Sequence, residues 1–190
     1  VEMKRLLGQF HITTVYVTHD QTEAISLADT IAVMRAGRIE QVGTFAQIRA
    51  RPVNTFVAGF LGQHPLNVMR GRITDESTVS IGPLDLAAPH GLIMSKRIGQ
   101  QVITGVPPEE LVIVDAPSSP TYGGTISGWV EVIEPDFAHS KQYVRVETPE
   151  GVITCTADIN RSLAAGQAVR IASIGSEAHV FSAEDGHNLL

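Results

Sequence analysis

One short stretch of the 190 residues joins a proton-handling group to a position that could use it: Thr18-His19-Asp20, directly after Ile12-Thr13-Thr14-Val15-Tyr16-Val17. An imidazole donates from one ring nitrogen and accepts at the other, which suits contact with a phosphoryl oxygen and the water that attacks it. If the preceding run is a strand covered on both faces, His19 stands at its carboxyl end, where open α/β sheets bind their ligands. The plain alternative is a histidine packed at a strand end, with Asp20 only capping the next helix. A third reading makes His19 and Asp20 metal ligands of a hydrolase.

The remaining reactive residue types carry less. His11, His64, His90, His139, His179 and His187 lack paired or i,i+4 ligand spacing, so no metal site is expected. Glu109-Glu110 and Asp75-Glu76 are sequence neighbours whose side chains point apart on a strand, which favours solvated surface over acid/base work. Cys155, the single cysteine, sits in the strand-like run Val152-Ile153-Thr154-Cys155-Thr156 and reads as a buried thiol, in keeping with a reducing compartment. Trp129 lies in an apolar strand and is expected to pack in the core. Gly123-Gly124 reads as a turn.

The elements that would position His19 follow from pattern. Met3, Leu6 and Leu7 have helical spacing that stops at Gly8, with nothing before it to cap a helix, so the reading is the last turns of a longer one. Ile12 to Val17 lacks polar alternation, as in a central parallel strand that needs neighbours on both sides. Asp20 with Glu23 resembles a capping box opening a helix from Gln21 to Ala28. Thr30 to Met34 and Arg38 to Val42 read as a hairpin turning at Ala36-Gly37. Thr44 with Gln47 caps a helix that ends before Pro52, and Asn54 caps another closed by Gly62. Beyond Gln63-His64-Pro65 come short β-branched runs broken by glycine and proline: Val68 to Ile73, Thr78 to Ile81, Gln101 to Val106, Leu111 to Val114, Gly128 to Ile133, Gln142 to Glu147, Gly151 to Ala157, Ala168 to Ile174 and His179 to Phe181. Such spacing predicts a barrel or sandwich. Ala116-Pro117-Ser118-Ser119-Pro120 reads as an exposed loop.

Composition divides the chain at the same place. Residues 1–62 hold 6 basic and 5 acidic side chains (+1) and 63–190 hold 8 and 15 (−7), which together give the net charge of −6. An acidic β-rich part has no electrostatic footprint for nucleic acid. Apolar residues make up 43% of the chain, enough to bury a core, and no apolar run approaches the roughly 20 residues that span a bilayer.

The tripeptide around His19 belongs to a longer pattern: Tyr16-Val17-Thr18-His19-Asp20-Gln21-Thr22-Glu23-Ala24, Leu27-Ala28-Asp29, Ile31-Ala32-Val33-Met34, Gly37-Arg38-Ile39, Gln41-Val42-Gly43-Thr44 and Phe56-Val57-Ala58-Gly59-Phe60-Leu61-Gly62. This resembles the tail of ATP-binding subunits of ABC importers, closest to the carbohydrate-uptake group that energises maltose and glycerol-phosphate permeases. The resemblance implies that His19 is the switch-loop histidine, which contacts the γ-phosphate of ATP. In the second part, Pro65-Leu66-Asn67, Gly105-Val106-Pro107-Pro108-Glu109-Glu110-Leu111, Trp129-Val130-Glu131-Val132-Ile133-Glu134-Pro135 and Phe181-Ser182-Ala183-Glu184-Asp185-Gly186 resemble that family's transport-associated OB-type (TOBE) domain.

The resemblance implies a mixed α/β remnant of an ABC nucleotide-binding domain over residues 1–62, followed by an all-β OB-like barrel or sandwich over 63–190 that serves regulation and dimerisation. The implied setting is cytoplasmic, on the inner face of the membrane. The implied partners are a second ATPase subunit and membrane permease subunits, with ATP and Mg²⁺ as cofactors of the whole protein. Two departures weaken inheritance of the regulatory role: Pro107 stands where the family usually has arginine, and Asp136-Phe137-Ala138-His139 replaces a turn more often containing Gly and Glu. The sequence contains no G-x-x-x-x-G-K-[ST] phosphate loop, no apolar strand ending in Asp-Glu and no Ser-Gly-Gly signature. These 190 residues are therefore expected not to hydrolyse ATP alone and to be a carboxy-terminal fragment, with His19 acting only in an intact ATPase dimer. A free-standing module of the same fold, binding a small ligand or oxyanion, is the alternative.

Overall fold

The computed structural model describes residues 6, 13–62, 64–88, 95–115, 123–175 and 178–189. The expected helix at the amino end, apart from helical Leu6, lies outside these residues, as do His11, His90 and the loop 116–120.

In the first part, α1 (Gln21–Leu27) is followed by the hairpin β1 (Ile31–Arg35) and β2 (Arg38–Gly43), then α2 (Phe45–Ala50) and α3 (Thr55–Phe60). The hairpin turns where expected. Ala36 and Gly37 have φ of 48° and 78°, the two positive values that a tight turn between twisted strands demands. Thr44 Oγ1 accepts from the Gln47 amide at 3.2 Å while Gln47 Oε1 accepts from the Thr44 amide at 2.9 Å, so the capping box is complete. Asn54 Oδ1 accepts from the Val57 amide at 2.9 Å and starts α3. Ile31, Val33, Ile48, Val57 and Leu61 are buried together, with Ile25, Phe45 and Phe56 packed against them.

The run before His19 departs from expectation. Residues 13–18 form no strand, and Val15 and Val17 are 89% and 90% exposed. A β-branched run is a strand only when neighbours take up its backbone groups and side chains. Among the described residues no strand pairs with this run, so it lacks the neighbours that a central parallel strand needs.

Among its described residues the second part is built of β-strands, loops and short 3₁₀ turns. Strands β3 (Asn67–Ile73), β4 (Thr78–Ile81), β5 (Leu84–Ala87) and β6 (Gln101–Val106) precede β7 (Leu111–Val114), β8 (Ile126–Asp136), β9 (Lys141–Thr148), β10 (Gly151–Asp158), β11 (Ala168–Ser173) and β12 (His179–Ser182). Strands β7 to β11 close an OB-like barrel in the order β10-β7-β11-β8-β9, and the others form an open sheet in the order β12-β6-β3-β4-β5. All pairings are antiparallel except β10 with β7, which meet in parallel at Thr156 and Val112. β5 is not among the expected strands, and β8 extends beyond the expected Gly128 to Ile133 at both ends. Inward positions alternate with outward ones: Ile126, Val130, Val144, Val146, Ile153, Cys155 and Ile171 fill the barrel. Gly128 is inward too, and a Cβ there would lie 2.3 Å from the Glu147 carbonyl oxygen, so no other residue fits where β8 crosses β9.

Among the described residues, three connections join the two parts. Ala58 of α3 shares a buried cluster with Leu66 and Phe181, and the Leu66 amide donates to the Ala58 carbonyl at 3.3 Å. The segment after β12 returns to the first part, where the Thr55 amide donates to Gly186 O at 2.9 Å and the Asn188 amide to Val53 O at 2.9 Å. Gly186 has φ of 72°, and a Cβ there would sit 2.7 Å from Thr55 Oγ1. The third connection is polar: Arg49 Nη2 of α2 donates to Glu109 Oε2 at 3.0 Å.

Candidate functional site

The segment around His19 is held by its own side chains. Asp20 Oδ1 accepts from the Thr22 and Glu23 amides at 2.7 and 3.2 Å, which starts α1 and fixes the bend at His19. The reciprocal half of the expected capping box does not form, because the Asp20 amide donates to Thr18 Oγ1 at 2.9 Å instead. Glu23 turns back along the chain: Tyr16 OH and Thr18 Oγ1 both donate to Glu23 Oε2, at 3.0 and 2.9 Å. That hydrogen bond to a carboxylate holds the Tyr16 hydroxyl above its ordinary range. Gln21 Oε1 accepts from the Gly62 amide at 2.9 Å and ties the start of α1 to the end of α3.

The result is an ordered turn that presents an uncommitted imidazole. His19 is exposed, and no hydrogen bond or ion pair engages its ring among the described residues. It can therefore face a ligand delivered from outside this part of the chain. Asp20 faces its own helix, and among the described residues no three His, Cys, Asp or Glu side chains come together to hold a metal ion.

A second polar constellation lies at the junction with the barrel. Glu109 receives hydrogen bonds from Arg49 on one oxygen and from Tyr143 OH on the other, the latter at 2.9 Å. His64 stacks on the Tyr143 ring, with centroids 3.5 Å apart, and the Lys141 ammonium lies 5.0 Å from the same centroid. Burial works to raise the Glu109 carboxyl. Hydrogen bonds from its own backbone and Tyr143, with the charges of Arg49 and Lys141, outweigh it and hold the group below its ordinary value. Burial, then the Glu109 contact, pushes the Tyr143 hydroxyl upward. Burial, with a smaller push from the Lys141 charge, drives His64 downward against the opposing fields of Glu134, Glu109 and Asp136. Glu109 is thus an engaged junction residue rather than the solvated carboxylate expected from sequence.

Three other residues can be placed. Cys155 is fully buried inside the barrel, and burial pushes its thiol up to about 12. His139 Nδ1 and Asp136 Oδ2 are 2.8 Å apart in an exposed turn. Trp129, expected in the core, is 59% exposed on the outer face of the barrel, since Gly128 and Val130 on either side of it take the inward positions of β8. Among the described residues no helix is long and apolar enough to cross a membrane.

No protein-family model matches the chain. Curated relatives do. The chain is similar to the oligosaccharides import ATP-binding protein of Bacillus subtilis, with 31% identity over 96% of this chain and 50% of that protein. It is similar to the sn-glycerol-3-phosphate import ATP-binding protein of Chromohalobacter salexigens, with 34% identity over 96% of this chain and 48% of the relative. The trehalose/maltose import ATP-binding protein of Thermococcus litoralis is 40% identical over 58% of this chain and 31% of its own length. The chain thus spans about half the length of the curated relatives it matches. Among solved structures, a cytoplasmic molybdate-binding protein, ModG, with molybdate bound, aligns with a TM-score of 0.48 and 16% identity over 61% of this chain and 95% of that one.

Proposed function

Because the chain belongs with the import ATP-binding proteins for sugars and glycerol phosphate, we propose that it forms part of the ATP-binding subunit of an ABC importer for sugars or related solutes. Similarity over 96% of its residues to proteins with that role is the observation that carries this reading. In the proposal residues 1–62 are the end of the nucleotide-binding domain and 63–190 a TOBE-type regulatory and dimerising domain. The proposed setting is the cytoplasmic face of the membrane, against permease subunits and a second ATPase subunit.

His19 is the proposed switch histidine. ATP with Mg²⁺ supplies the phosphoryl group and its charge neutralisation, and the amides and lysine of a phosphate loop would hold it. The fit of this chain to that group is limited to one contact. His19 is exposed and uncommitted on a turn fixed by Asp20, Thr18 and Glu23, so it can meet a γ-phosphate held elsewhere. Its part is to hold a hydrogen bond to the phosphate oxygen or the attacking water, and Gln21, bonded to the Gly62 amide, keeps that turn against α3.

A chimera tests the proposal. Residues 1–190 replace the matching half of the Bacillus subtilis relative, and ATP hydrolysis is measured with His19 and with His19→Ala. Hydrolysis by the first and a loss of about 100-fold or more in the second is the expected result, in the range for removal of a transition-state hydrogen bond. Equal activities would remove His19 from the catalytic step. By titration calorimetry the chain alone is expected to bind no Mg-ATP, and by sedimentation to dimerise with rising concentration.

A further inference from the structure

Trp129, the one tryptophan of the chain, lies on the outer face of the barrel, where its neighbours leave it uncovered. Opposite it stand Ala168 on β11 and Glu147 on β9. Ala168 is too small to cover an indole. One step along this face, Arg170 of β11 stands opposite Ser127 of β8. Neither Glu147 nor Arg170 makes a side-chain hydrogen bond or ion pair among the described residues. They stand on strands either side of β8, with backbones about 10 Å apart at two inter-strand spacings. Farther along the same strands, Glu131 is already paired with Arg145 at 3.4 Å. A groove runs over this surface, and one of its walls is Arg161, which donates to the Ile113 carbonyl at 2.7 Å and is paired with Asp115.

The charges in the groove define its ligand. Two arginines and two carboxylates line it, and one of each is spent in the Arg161 to Asp115 pair. A phosphate or another oxyanion would have to settle beside Glu147 and Asp115, so the groove does not favour anions. What it offers is an apolar ring between one free acceptor and one free donor. A neutral sugar ring matches that pattern: its C–H face lies on an indole, and its hydroxyls donate to a carboxylate and accept from a guanidinium. The geometry points to a saccharide-binding groove on the outside of the barrel, with Trp129 as the platform and Glu147 and Arg170 orienting hydroxyls. The site is separate from His19 and does not depend on the role proposed for it.

The single tryptophan makes the test direct, because the chain's intrinsic fluorescence reports this groove. The chain is titrated with maltotriose and, separately, with glycerol 3-phosphate and inorganic phosphate at constant ionic strength. A saturable blue shift with maltotriose, half-complete at about millimolar concentration, is expected, with no matching response to phosphate. Glu147→Ala and Arg170→Ala, both away from the core, should each weaken the response at least tenfold with an unchanged thermal midpoint. Calorimetry on Trp129→Phe should show the heat of binding lost. Three results would overturn the proposal: no saturable response to maltotriose, a tighter response to either phosphate-bearing probe, or a blue shift that grows with protein concentration in the absence of sugar. The last would mean that a second copy covers Trp129.

Discussion

Asn67 and Thr154 join the open sheet to the barrel: Asn67 Nδ2 donates to the Thr154 carbonyl at 2.8 Å, and Asn67 Oδ1 accepts from the Thr154 amide at 2.7 Å. The same Nδ2 reaches the Val106 carbonyl at 3.2 Å, so one buried side chain serves the backbones of β10 and β6 at once. Replacing Asn67 by Ala would strand the Thr154 groups at a largely buried seam. The expected loss is about 3 kcal/mol, from unsatisfied groups at about 1–3 kcal/mol each, read as a lower urea midpoint at constant slope.

Gly128→Ala is expected to cost more, about 4 kcal/mol or failure to fold. Its methyl group would meet backbone rather than the end of a flexible side chain, so β8 and β9 must separate to admit it. Expression yield and thermal midpoint would show this, with Gly166→Ala as a control. Gly166 has open space around its Cβ position but a φ of 79°, and only a modest loss near 1 kcal/mol is expected there.

The junction at Glu109 should make stability depend on pH. The Glu109 carboxyl is held below its unfolded value, so its contribution is complete above about pH 4.3 and is lost as pH falls through the folded value. His64 is also depressed, by burial, so the unfolded chain takes up its proton first and stability begins to fall below about pH 6.5. Both shifts act in the same direction. Urea midpoints from pH 8 down to about pH 3 should decline in two stages. Glu109→Gln is expected to remove the lower stage at a cost of about 1 kcal/mol at neutral pH, a figure kept small by the partial exposure of the Arg49 to Glu109 pair.

Cys155 should not react with a thiol reagent in the native state. Its sulfur is buried in the barrel and burial suppresses the thiolate, so modification at pH 8 should proceed only as fast as the barrel opens and accelerate in urea. Rapid native-state labelling would contradict the placement of β10.

Much of this architecture was legible in the residues. The segments Thr78 to Ile81, Gln101 to Val106 and Leu111 to Val114 agree with the structure at both ends, because each is a short run rich in β-branched residues. Leu84 to Ala87 escapes a sequence reading because Leu-Asp-Leu-Ala holds no β-branched or aromatic residue. Trp129 lies outside the core because the phase of β8, rather than its apolar character, decides which side chains face inward. Ser127 and Glu131 on the same side already indicate the outer face. The strand expected before His19 failed for another reason, since a run such as Thr14 to Val17 states a preference that only a neighbouring strand can satisfy. The position of His19 in the chain was plain. The turn that fixes it was not, because the contacts of Glu23 with Tyr16 and Thr18 depend on a bend that spacing does not encode. Arg49 and Glu109 are 60 positions apart, and no local pattern could have paired them.

The interleaving of the two sheets sets a schedule for the growing chain. Strands β3 to β6 are made first, all five barrel strands follow, and only then does β12 emerge to pair with β6, about 75 residues upstream. The barrel can close while the open sheet still lacks its last strand and the helical segment lacks its tether through Gly186 and Asn188. During synthesis the helical segment therefore waits, exposed, for β12 and the residues that follow it, and the slowest step in maturation should be that long-range return.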